Sequence, residues 1–99
     1  LLKQWGGGAV MLNLEAVNKI AERIKNSERF DENWTTNRIY YFDHSLTIEH
    51  YNNLYKIVFK GQTLGHLLSR GDDETLHDVI YYAIQNKKKA LKENAFSEL

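Results

Sequence analysis

Not one cysteine occurs in the 99 residues, so a fold of this size must be held by its apolar core alone, without disulfide or thiolate-metal staples. The same absence removes a cysteine nucleophile. The apolar share of 42%, with 12% aromatic, suffices for one core in one domain, although a chain this short buries a smaller fraction of its surface than a larger one does. Thirteen Lys and Arg balance thirteen Asp and Glu, so no global field argues for nucleic acid or a membrane as the partner. No apolar run approaches the roughly 18 residues of a membrane span, and no signal-peptide pattern is visible. The expectation is an intracellular protein, cytoplasmic or nuclear, without membrane contact.

The triplet Gly6-Gly7-Gly8 has the composition of a flexible linker. It separates Leu1-Leu2-Lys3-Gln4-Trp5 from Met11, so residues 1–10 read as a tether, tag or leader segment and residues 11–99 as a single helical domain. Leu1, Leu2 and Trp5 are apolar enough that docking on a surface groove is expected of them.

Apolar residues Leu14, Val17, Ile20, Ala21 and Ile24 recur at three- and four-residue spacing, which is the stripe of an amphipathic helix over 13–26. Asn13 fits its N-cap, Glu15 its first turn, and Arg23 and Lys25 its last. A second helix is predicted from Ser45 or Thr47 to Gly61, on the set Ile48, Tyr51, Leu54, Tyr55, Val58 and Phe59, with Asn52 and Asn53 opposing a strand. A short helical segment from Thr63 turns Leu64, Leu67 and Leu68 inward and ends at Gly71. Asp72-Asp73-Glu74 then caps a long helix to about residue 94. Residues 27–45 read as an irregular insert anchored by Phe30, Trp34, Tyr41 and Phe42. The fold class that follows is all-α, a small bundle or orthogonal array of about four helices. The alternative is α+β, with a short hairpin around residues 36–43.

Little in this pattern points to chemistry. His44, His50, His66 and His77 form no i, i+4 pair of the kind a helical zinc site needs. No serine lies in a Gly-x-Ser-x-Gly elbow, and Asp72, Asp73 and Glu74 are explained by a helix N-terminus. The segment Gly61 to Gly65 lacks the lysine and further glycines of a phosphate loop. Neither catalysis, metal nor cofactor is therefore expected. Lys87, Lys88, Lys89 and Lys92 form the strongest local charge cluster, with Tyr81 and Tyr82 just upstream, and would serve a nucleic-acid-binding regulator. That partner is less expected than a protein, because the net charge is zero.

The aromatic surplus carries the functional expectation. Tyr40-Tyr41, Tyr51, Tyr55, Tyr81-Tyr82 and Trp34 cannot all point inward, and exposed Tyr and Trp are typical of interface centres. The expected function is a non-catalytic protein-interaction module, an inhibitor, adaptor or regulatory homodimer, using Tyr51, Tyr55, Tyr81, Tyr82 and Trp34. The stretch from Tyr51 through Val58 to Gly61 and Leu64 resembles the amino-terminal helix of cullin scaffolds, in which two tyrosines four apart precede a valine and a Gly-x-x-Leu. That likeness identifies no family here and carries over no residue.

Overall fold

The computed structural model describes residues 12–69 and 74–97. The segment expected as a tether, tag or leader, with Leu1, Leu2 and Trp5, and the expected cap residues Asp72 and Asp73 lie outside the described residues. Helix α1, Leu14–Asn26, forms where the apolar stripe places it: the Asn13 carboxamide accepts the Ala16 N–H at 2.8 Å, and Val17, Ile20 and Ile24 are buried. Five strands follow, β1 Asp31–Trp34, β2 Arg38–Tyr41, β3 Leu46–Tyr51, β4 Leu54–Phe59 and β5 Gln62–Leu68, paired antiparallel in chain order. Helix α2, Glu74–Ser97, closes the fold.

The chain is thus α+β, and the all-α bundle of about four helices is corrected to two helices and a five-stranded antiparallel sheet among the described residues. The second predicted helix is the β3–β4 hairpin. Asn52 and Asn53 do not oppose strands there; they form the two-residue loop between Tyr51 and Leu54, with Asn52 at φ 50, as asparagine readily does in turns. The likeness to a cullin helix falls with it. Nor is the sheet confined to the single short hairpin of the alternative.

The misleading signal has a physical origin. On β3 and β4 the inward set is Leu46, Ile48, Tyr55 and Ile57, all at most 1% exposed, but Tyr51, Leu54 and Val58 put apolar groups on the outer face as well. With both faces partly apolar, alternation is blurred and a three- and four-residue spacing emerges by chance. On β5 the cause is a bulge. The pairing steps from Ile57 with Gly65 to Val58 with Thr63, leaving Leu64 as the extra residue. A bulge resets the two-residue phase, so Leu64 and Leu67, three apart, both reach the core while Leu68 faces out. That spacing imitates a helix turn.

Both helices lie on one face of the sheet and touch each other, and Val17, Ile20, Ile24, Ile80 and Ile84 share one core with the inward strand residues. The opposite face carries no helix among the described residues. Lys87 on α2 ties the layers together: its ammonium donates to the carbonyls of Lys25 at 3.2 Å and Ser27 at 2.5 Å, satisfying acceptors that the end of α1 leaves open. Beside it, the buried Ser27 hydroxyl accepts the Asp43 N–H at 3.0 Å, and the Asp43 carboxylate accepts the N–H groups of Glu28 and Arg29. The Glu28 N–H in particular holds the Asp43 carboxyl below the ordinary carboxylate range. This network pins the β2–β3 turn, where His44 and Ser45 take left-handed backbone in succession.

Candidate functional site

One row of side chains crosses the helix-covered face of the sheet. Register places Trp34 opposite Arg38, Arg38 opposite His50, His50 opposite Tyr55 and Tyr55 opposite Leu67, and directly opposed residues share a face. The row begins at the β1 edge with Trp34, whose ring the Arg38 guanidinium covers at 4.0 Å. Arg38 Nε lies 3.0 Å from a Glu32 carboxylate oxygen, and Lys88 Nζ on α2 lies 3.5 Å from the other. An Arg–Glu–Lys chain therefore runs from the helix to the tryptophan.

Further along the row the rings of His50, Tyr55 and His77 form a column. Each histidine ring stacks on Tyr55 at 4.4 Å between centroids. Tyr55 is 1% exposed and His77 is buried. Burial pushes the Tyr55 hydroxyl well above its ordinary value, so it stays protonated. Burial, and then the neighbouring His77 and Arg38, lower the His50 pKa. A histidine whose pKa is lowered on folding is neutral in the fold while the unfolded chain still takes up a proton, so stability is lost as pH falls below the ordinary histidine value near 6.5. The expected result is a drop in urea midpoint between pH 7 and pH 5 that shrinks in His50→Gln; an equal drop in both proteins would deny His50 this role.

The residues expected at an interface are distributed differently from the expectation. Trp34 is 65% exposed and Tyr82 60%, with Tyr81 less so. Tyr81 follows His77 by one turn and precedes Lys88 by two on the same stripe of α2, which sets it on the side of the helix whose Lys88 meets Glu32. Its ring meets that of Tyr82 edge-on at 5.3 Å, while Tyr82 itself turns toward the groove between the helices with Ala21, Lys25 and Val79. Tyr51 and Tyr55 part company, because a hairpin puts them on opposite faces: Tyr51 hydrogen-bonds Glu49 on the outer face, and Tyr55 is interior. Of the lysine cluster, Lys87 and Lys88 are engaged with α1 and Glu32, and Lys89 and Lys92 face solvent.

Arg38, Glu32, His50 and His77 escape a reading of the chain alone, since they come from three strands and a helix and share no local spacing. Period-two register around Ile48 and Ile57 is the one signal that could have aligned His50 with Tyr55. Among the described residues no three of His, Cys, Asp or Glu converge to hold a metal ion. No helix of the described residues is long and apolar enough to cross a membrane. Comparison with known proteins brings no match, whether with family models, curated proteins or solved structures.

Proposed function

We propose that this chain is a non-catalytic protein-interaction module, an inhibitor, adaptor or regulatory homodimer of the cytoplasm or nucleus, and that it presents Trp34, Arg38 and Tyr81 to its partner. The observation that carries the reading is Trp34: a largely exposed tryptophan on a four-residue edge strand, yet held by the Arg38 guanidinium and the Glu32–Lys88 pair behind it. Exposed aromatic area is costly in water, and a side chain fixed before binding loses less entropy when a partner covers it. Trp, Tyr and Arg are the residue types that dominate binding energy at interfaces.

The test is capture of binding proteins by the full chain from a lysate of its source cells, with and without nuclease, beside Trp34→Ala. A stoichiometric protein is expected that survives nuclease and binds the variant roughly 30-fold more weakly, the loss of one hot-spot residue of about 2 kcal/mol. Undiminished binding by Trp34→Ala would remove this surface from the function, and a haul that vanishes with nuclease would move it to nucleic acid.

A further inference from the structure

A second surface lies on the far side of the domain from Trp34 along β4. Between α1 and the β4–β5 turn runs a groove of about 430 Å³ whose apolar walls include Ile20, Leu46, Phe59 and Leu64, a volume within the roughly 300–1,000 Å³ usual for ligand sites. Among the described residues its charged lining is of one sign: Lys19, Arg23 and Lys60, and no carboxylate. The Arg23 guanidinium lies 5.0 Å from the Phe59 ring centroid and the Lys60 ammonium 5.4 Å, so two cations converge on one ring. Among the described residues neither has a carboxylate within ion-pairing distance, and Lys19 reaches only the exposed Glu15 at 4.0 Å.

The backbone supplies an independent observation. Lys60 and Gly61 form the two-residue loop joining Phe59 to Gln62, with φ 52 and 81. Left-handed values at both loop positions define the hairpin turn whose first place suits Asn, Asp or Gly. A lysine there is strained, and strained non-glycine residues cluster at ligand clamps and binding sites. The Lys60 N–H donates to the Ser45 carbonyl at 3.1 Å, while among the described residues its ammonium approaches only the Phe59 ring.

We propose that this groove docks an acidic peptide segment of a partner protein, an apolar side chain seated against Ile20, Phe59 and Leu64 and neighbouring carboxylates received by Arg23 and Lys60. Charge sets the choice of occupant. Residues 1–11 of the chain itself carry Lys3 and no acid, the same sign as the groove, whereas an acidic segment meets Arg23 and Lys60, which have no counter-charge among the described residues. The proposal does not rest on the Trp34 surface.

The experiment titrates the full chain with a fluorescent short peptide in which Phe and Leu are flanked by glutamates, and with the same peptide carrying lysines for the glutamates. Saturable binding of the acidic peptide is expected, weakened by rising salt, absent for the basic one and about tenfold weaker in the double variant Arg23→Gln, Lys60→Asn, as loss of charge-assisted contacts implies. Lys60→Asn alone puts the residue the turn favours at its first position, so its unfolding midpoint is expected to hold or rise while peptide affinity falls; reduced binding cannot then be laid to misfolding. Failure to saturate, equal binding of the basic peptide, unchanged affinity in the variants, or displacement of the peptide by dodecanoate at lower concentration, which would make the groove a fatty-acid site, overturns the proposal.

Discussion

Tyr55→Ala is expected to lower the unfolding free energy by about 3–5 kcal/mol, the usual cost of truncating a buried aromatic ring. Domains of this kind have only about 5–15 kcal/mol to lose. The ring is the meeting point of the sheet and α2: it fills the interior between His50 and His77 and is covered on both faces. Removing it leaves two imidazoles facing a void, with Leu67 the next side chain across the sheet. In urea, where small domains change by about 1–3 kcal/mol per molar, the midpoint should fall by about 2 M. Tyr55→Phe, which keeps the ring, should cost no more than about 1.5 kcal/mol, the worth of a hydroxyl's hydrogen bonding. Should the two variants prove equally unstable, the hydroxyl rather than the stacked ring would be the important part.

Leu64→Asp and Leu68→Asp are expected to differ sharply, although the two leucines lie four residues apart. Leu64 is buried through the bulge, and an aspartate there would be a carboxylate in an apolar core, costing several kcal/mol or forcing the β5 end of the sheet apart. Leu68 is 42% exposed on the outer face opposite Leu54, where the same change should stay within about 1 kcal/mol. A helix over this segment would bury Leu64, Leu67 and Leu68 together and penalise both. Urea unfolding of the pair therefore reads the bulge directly, and comparable destabilisation would argue against it.

What the sequence discloses about the fold depends on how each segment meets water. In α1 the stripe, the Asn13 cap and the terminal charges agree, and the helix stands where they put it. In β3 to β5 they conflict: apolar residues on the uncovered sheet face and a bulge at Leu64 both mimic helical spacing, and only pairing with neighbouring strands resolves the conflict. Strand β1, Asp-Glu-Asn-Trp, has the composition of a turn and is a strand because β2 lies beside it. As for the candidate surface, Trp34, Tyr81 and Tyr82 stand out in the sequence as aromatic residues. Arg38 and Glu32, which hold Trp34, become visible only once register sets them side by side. Tyr55 shows the limit of counting aromatics, since the residue expected at an interface is one of the most deeply buried in the domain.

The order of the strands also bears on how the chain comes to be folded. Every strand pairs with its neighbour in sequence, so the sheet can zip up through short loop closures, which are fast. The helix pair is another matter: Lys87 and Lys25, joined by a hydrogen bond in the finished protein, stand 62 residues apart. Because α2 follows the sheet in chain order, a nascent sheet has Tyr55 on its surface until His77 arrives to cover it. The interval between sheet formation and the docking of α2 is therefore when this protein, during synthesis, is most prone to adhere to other chains.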